Sequence, residues 1–346
     1  MQDCAKDVLA YHDEKVTLSQ PQRTAMRDRR NANRDRLVGR LKAEGKPTPH
    51  EFIKQGSYAM LTMVQDPDND YDIDDGVYFT QESLRDAQGK DMAPAAARQM
   101  VRDALDDGRF NKQPEVKTSC VRIYYQEGYH VDMPVYRIRE ADGEYELAAG
   151  DKWVVSRAAD VEDWFDEVNQ SKSPDTGNGR QFRRIVRDLK KFARSRSDWK
   201  DQIAPGFTIT KLAEECYVPD AEREDVALRV TMKQIRARLL SSLEVNHPVT
   251  PGAKLTTGPD DAATLFLRDK VAAALADLTV LDHPNCTRAQ ALAAWDAVYG
   301  VDFFSARDVA KAEPVSTASN AAILANLVST KQDPRAVDKR GGGRFA

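Results

Sequence analysis

The chain has 346 residues, enough to bury a large core as one big domain or as two lobes. Its charged content is high at 31%, yet the net charge is only −4 and the isoelectric point lies near 5.9. Without a global basic excess, obligate binding to long nucleic acid is not expected, and only a local basic groove remains open to it. Cys4, Cys120, Cys216 and Cys286 lie far apart with no CxxC pair, and the five histidines show no zinc-ligand spacing. That pattern argues for a reducing compartment and against structural zinc. The opening "MQDCAKDVLAYHDEK" has no signal-peptide apolar run, and no apolar stretch reaches the about 18 residues of a membrane span. A cytosolic protein with no membrane partner is expected.

In chain order, Ser19 followed by Pro21 marks a helix start, a hydroxyl cap and then a proline inside the first turn. The helix runs to about Lys42 with a thin apolar stripe through Met26, Leu37 and Leu41, and Gly45 and Pro47 close it. Strands are expected over 72–79, 117–125 and 130–138, the last two joined as a hairpin through "QEG", with a helix over "APAAARQMVRDALDDG" between the first and second. From about Asp160 the pattern turns helical: "DVEDWFDEVNQ", "GRQFRRIVRDLKKFARSRSDW", "FTITKLAEECYV" and "AEREDVALRVTMKQIRARLLSSL". A proline-rich loop, "NHPVTPGAKLTTGP", precedes two more helices, the second capped by Thr287. A strand-rich half followed by a helical half predicts an α+β fold of two lobes with a cleft between them. The expected divisions are 1–155, 156–329 and a flexible polar tail at 330–346.

"QGSYAMLTMVQDPDNDYDIDDGVYF" raises the chemical question, because it crowds Asp72, Asp74 and Asp75 beside valine, tyrosine and phenylalanine. Burying like charges is costly unless a cation neutralises them, so the alternatives are a solvated acidic turn and a metal site. Residues two apart on a strand share a face, which sets Asp72 and Asp74 together and turns Asp75 away into a structural role. Asp132 sits mid-strand among Val131, Met133 and Val135. If that strand lies beside 72–79, three carboxylates converge, and hard oxygen ligands suit Mg²⁺. Gly56 lets a backbone approach a ligand closely and Ser57 adds a hydroxyl donor, a pair suited to holding phosphates.

Residues 180–200 hold nine Lys and Arg against Asp188 and Asp198. Arg183, Arg187, Lys190 and Arg194 fall on one helical face, opposite Ile185, Leu189 and Phe192. Such a run is either a solvated face or, turned to a cleft, a cationic stripe for a triphosphate.

Taken together, "QGS…DIDDGVYF", "HVDMPVY", "VEDWF", "RRIVRDLKKF", "NHPVTPGAKLT" and "WDAVYGVDF" resemble, in that order, motifs of the cGAS/DncV-like nucleotidyltransferases over roughly residues 50–310. The family comprises bacterial cyclic-oligonucleotide synthases of anti-phage defence (CBASS), and the similarity is greatest to the branch making 3′,3′-cyclic GMP–AMP. The resemblance implies a polymerase-β-like nucleotidyltransferase core with a mixed sheet, joined to a C-terminal helical lobe, with nucleotides in the cleft. It implies Asp72, Asp74 and Asp132 as the catalytic, metal-binding triad for two Mg²⁺ ions, with Mn²⁺ as a substitute. Ser57, within Gln55-Gly56-Ser57, matches the phosphate-contacting serine of the family's GS motif. Lys190 matches a lysine holding the donor triphosphate, and Thr208 stands near a serine of similar role. Arg122 lies near an arginine of the family pocket, and Ser156 where a base-contacting serine is found.

The chain departs from the family pattern at Met60, where a relative carries a base-stacking tyrosine, and at Arg157, where an aspartate stands beside the serine. It also lacks an insertion between Tyr136 and Val161. These changes touch base recognition and leave the reaction class intact. The implied reaction is cyclic dinucleotide synthesis from ATP, GTP or other NTPs, acting on a downstream effector through the product. The alternatives are a linear nucleotidyltransferase acting on RNA or a small acceptor, which a pI of 5.9 does not favour, and a catalytically dead scaffold, which the intact aspartates and Ser57 disfavour. Gly341, Gly342 and Gly343 before a small terminal Ala346 resemble a substrate for the ubiquitin-transfer-like enzymes encoded with some relatives.

Overall fold

In the computed structural model the described residues are 2–66, 71–126 and 128–312, with side chains described to 307. The chain opens with α1 (Ala5–Tyr11), which continues as a π turn to Val16, and then α2 (Gln20–Ala43). Ser19 caps α2 as expected, in a full capping box with Gln22. The stripe of Met26, Leu37 and Leu41 is buried. Next come β1 (Glu51–Gln55), the single turn α3 (Gly56–Ala59), β2 (Asp72–Thr80), α4 (Pro94–Leu105), β3 (Glu115–Val116), β4 (Cys120–Tyr124), β5 (His130–Ile138), β6 (Tyr145–Ala149) and β7 (Lys152–Val155). The helices α5 (Asp160–Lys172), α6 (Gln181–Ala193), α7 (Gly206–Cys216), α8 (Glu224–Ser241), α9 (Ala262–Asp277), α10 (Arg288–Tyr299) and α11 (Phe303–Ala312) follow.

The seven strands make one mixed sheet in the order β1-β2-β5-β4-β3, with β6 on β5 and β7 on β6. Only β2 and β5 pair in parallel; the expected hairpin of β4 and β5 is antiparallel. The fold is α+β, as the strand-then-helix pattern predicted. Sequence reading missed α1, β1, α3, β3, β6, β7 and α11. The expected helix over 179–199 is shorter, because Arg180 stands at φ 74° before it and the chain leaves helical geometry after Arg194. Past Arg194 only a single 3-10 turn, Ser197–Trp199, follows.

Apolar burial divides into two clusters. One joins the sheet to α2 and α4 through Leu37, Ile73, Val77, Val101 and Val131. The other is helical, built on Phe165, Phe182, Ile185, Leu228, Trp295 and Phe304. Two segments cross the expected division at 155/156. Cys4, Val8, Tyr11 and Val16 belong to the helical cluster, and so do Met60 and Val64, just after α3. The start of the chain and the segment behind Gly56-Ser57 are thus anchored in the helical half. By packing, the chain divides after Phe304. The expected tail at 330–346, with Ala346, lies outside the described residues.

Candidate active site

Strand periodicity and register bring the acidic residues together. In the parallel pairing of β2 with β5, Asp74 lies directly beside Asp132, and Asp72 beside His130. Asp72 and Asp74 share a face, while Ile73 and Asp75 turn into the protein and are fully buried. Asp75 is structural, as expected, and lies mid-strand. Arg34 of α2 donates to it through Nε (2.7 Å) and through a second nitrogen.

Asp132 is buried and Asp74 half-buried, and Asp74 has no cationic partner of its own. Burial first, then the charges of Asp132 and Asp72, push the Asp74 carboxyl up to about 7, against a weaker opposing pull from Arg122. Arg122, directly across from Asp132 on β4, forks onto it at 2.8 and 2.7 Å and stands 3.3 Å from Asp72. One guanidinium therefore serves two of the three carboxylates and leaves Asp74 uncompensated. Among the described residues no three acidic, histidine or cysteine side chains form a ready-made metal cage. The donor set is nonetheless one a hard divalent cation fits: converging carboxylate oxygens, one of them without a cationic partner of its own.

The Gly56-Ser57 turn abuts this cluster. Gly56 has φ 60°, and a Cβ there would collide with Asp74 Oδ2, so only glycine allows the backbone and the carboxylate to approach so closely. Beneath the turn Gln55 is buried and engaged on both ends of its amide. It donates to the Tyr78 hydroxyl at 2.7 Å and accepts from the Tyr136 hydroxyl at 3.1 Å. Those two rings stack at 4.4 Å, a floor under the site.

A cavity of about 480 Å³ opens over this floor, lined by Gly56, Ser57, Asp72, Asp74, Ser156, Arg157, Lys190, Arg194 and Phe207 among others. Of the residues expected at the site, Gln55 and Met60 also line it, although Met60 is largely buried in the helical cluster. Arg122 and Asp132 stand behind Asp72 and Asp74. Arg157 pairs with Glu144 at 3.1 Å and Asp160 at 3.6 Å. Thr208 is a correction, because its side chain is buried in α7 and does not line the cavity. Gly206 and Phe207, which begin α7, line it instead, leaving Thr208 only its first-turn amide to offer.

The expected cationic stripe is also corrected. The carbonyls behind α3 are buried against α6, and its cations are the donors that reach them. Arg183 Nε donates to Met60 O at 3.0 Å, Arg187 Nε to Leu61 O at 2.8 Å, Lys190 Nζ to Thr62 O at 2.7 Å and Lys191 Nζ to Gln65 O at 2.8 Å. Leu61 is held there at φ 55°. Arg183 and Arg187 are thus occupied in fixing the Gly-Ser turn. Lys190 is fixed the same way, yet lines the cavity; burial, then Arg194 and Arg187, push its ammonium down to about 7.

His247 and Thr250 also line the cavity. Both lie in the "NHPVTPG" loop, which had been singled out without a role for any one residue. The His247 Nδ1 accepts from the amides of Val249 (3.3 Å) and Thr250 (3.1 Å), which fixes the neutral tautomer with its proton on Nε2. Its ring meets Phe207 edge-on at 5.5 Å.

Residues 50–136 match the family described as "Cyclic GMP-AMP synthase DncV-like, nucleotidyltransferase domain". Among solved structures, the fold is similar to Vibrio cholerae DncV cyclic AMP-GMP synthase in complex with nonhydrolyzable GTP. The identity is 17%, 87% of this chain and 96% of that chain are covered, and the TM-score is 0.68. It is also similar to CdnC of E. coli MS115-1 in its complex with HORMA-deltaN, at 17% identity, 87% and 98% coverage and TM-score 0.65. A third is V. cholerae DncV with the linear intermediate 5′ pppA(3′,5′)pG, at 18% identity, 83% and 92% coverage and TM-score 0.62.

Proposed function

We propose that this chain, a bacterial cGAS/DncV-like nucleotidyltransferase, joins two NTPs, ATP and GTP being the first candidates, into a cyclic dinucleotide. In each step a 3′-hydroxyl oxygen attacks an α-phosphorus and the bond to the bridging α–β oxygen breaks. The hydroxyl proton is given up and pyrophosphate leaves with the electron pair. The observation that carries this reading is Gly56, whose backbone lies against Asp74 and brings a phosphate-binding turn into contact with the carboxylate cluster. The solved DncV complexes with a GTP analogue and with a linear pppApG intermediate support the substrate class.

Asp72, Asp74 and Asp132 are the residues that would hold divalent ions, Mg²⁺ in two copies. When bound, such ions activate the attacking hydroxyl and neutralise the leaving phosphates. The protein's own part is positional. Ser57 donates to a phosphate oxygen, and Lys190 and the first-turn amides of α7 neutralise and orient the triphosphate. Ser156, Arg157 and Met60 stand where a base could lie. The defining test is incubation with labelled ATP and GTP and Mg²⁺, with products treated by phosphatase. A resistant cyclic product is expected; products whose terminal phosphates all remain removable would make the enzyme a linear nucleotidyltransferase.

Two further outcomes follow from the geometry. Lys190→Ala and Ser57→Ala each raise the NTP KM by about tenfold, the worth of one charge-assisted contact, with no change in base preference, because phosphates are common to all NTPs. A changed preference at unchanged KM would move these residues away from the phosphates. The second outcome concerns pH. A divalent ion binds the ionised Asp74, whose proton is lost as pH rises through about 7. Apparent metal affinity therefore climbs about tenfold between pH 6 and pH 8 and levels beyond. Equal Mn²⁺ affinities at the two pH values would remove Asp74 from coordination.

A further inference from the structure

A second cavity, about 420 Å³, adjoins the first and shares Lys190, Arg194 and Gly206 with it. Its wall carries four cations, Lys190, Arg194, Arg196 and Lys200, against Asp66 and Asp201, with Ser195 and Ser197 between them. The cations differ in how they are held. Lys190 donates to Thr62, and Arg196 donates to Ala297 O at 2.7 Å and lies over the Trp199 ring. Arg194, one turn beyond Lys190 and on the wall common to both cavities, makes no side-chain hydrogen bond or ion pair among the described residues. It is the stripe cation that the fold does not use.

The shared wall is also thin. Gly206 presents no side chain there, and a Cβ would meet Lys190 Cε at 2.8 Å. A glycine at this point lets the Lys190 stem lie against the start of α7, on the wall that both cavities share.

We infer that the second cavity is a product pocket for inorganic pyrophosphate, with Arg194 passing the leaving group out of the nucleotide cleft. This rests on the nucleotidyl-transfer reading above. Pyrophosphate is compact and multiply charged, and it is set free at the end of the cleft that Lys190 and Arg194 border. A forked guanidinium can hold two of its oxygens at once, which a lysine cannot. A separate pocket takes the anion away from the α-phosphorus, so that the linear dinucleotide can be re-seated for the second step before the first pyrophosphate has reached solvent.

The test is binding and inhibition by magnesium pyrophosphate, with the intact chain and no turnover needed for the binding arm. Arg194→Ala and, separately, Lys200→Ala are each expected to weaken pyrophosphate binding about tenfold, with Arg194→Lys recovering part of the loss. Lys200→Ala should leave the affinity for a nonhydrolysable NTP within twofold, and pyrophosphate should inhibit the wild type non-competitively with NTP. Strictly competitive inhibition would confine pyrophosphate to the nucleotide cleft and overturn the proposal. Unchanged pyrophosphate affinity in either alanine variant would overturn it as well. If the enzyme makes dinucleotide while either of those results is found, only this inference fails. If pyrophosphate binds as described but no NTP is turned over, it is the reaction that has been misread.

Discussion

Asp74→Asn is expected to lower product formation by at least about 1,000-fold while leaving the protein as stable as before, or more so. The activity loss follows from removing one charge from a site whose divalent ions contribute several kcal/mol to the transition state. The stability side follows from the carboxylate's surroundings. Burial and the charges of Asp132 and Asp72 hold the Asp74 carboxyl up near 7, so ionised Asp74 strains the folded state at neutral pH. A neutral amide of the same shape removes that repulsion. Thermal unfolding should show an unchanged or higher midpoint, and labelled-NTP turnover should be lost. An Asp74→Asn enzyme with more than about a tenth of wild-type turnover would end the carboxylate mechanism.

The same residues show what the sequence could reveal. Asp72 and Asp74 share a face because strand periodicity is two, and this needed no structure. Their convergence with Asp132 depended on β2 lying beside β5, a pairing stated as a condition and met by the register of Asp74 with Asp132. Gly56-Ser57 was read as a turn suited to holding phosphates, and the close approach of Asp74 gives the glycine its reason. The use of α6 was not legible. Helical periodicity places Arg183 and Arg187 on one face, but it cannot say that the carbonyls of Met60 and Leu61 will be buried against that face with no other donor. Nor could periodicity tell that Thr208 turns inward while Gly206 and Phe207 face the cavity, since that depends on where α7 begins. The anchoring of residues 4–16 in the helical cluster is likewise a long-range choice, made by Tyr11 packing on Tyr299 and Phe304. Local pattern placed the carboxylates and the glycine, and tertiary contact decided which cations of α6 are spent on the fold.

Asp75→Asn, one residue away, is expected to do the reverse of Asp74→Asn. Asp75 is fully buried, and Arg34 from α2 grips both its carboxylate oxygens while lying over the Phe52 ring at 4.8 Å. Burial pushes the Asp75 carboxyl up and the guanidinium opposes this, so the ion pair is what makes the buried charge tolerable. Replacing the carboxylate leaves a partly buried guanidinium with half its fork unmet, at a cost of about 3 kcal/mol. For a chain of this size that lowers the unfolding midpoint by roughly 4 °C. Because Asp75 faces away from the cavity, turnover per folded molecule at 20 °C should stay within about threefold of wild type, as expected when a change leaves the reacting groups in place. Adding Arg34→Met to Asp75→Asn should recover part of the lost stability, since removing both partners is milder than stranding one. A wild-type unfolding midpoint in Asp75→Asn, or a turnover as low as that of Asp74→Asn in a folded protein, would mean that these neighbouring aspartates do not divide fold from chemistry as their faces on β2 require.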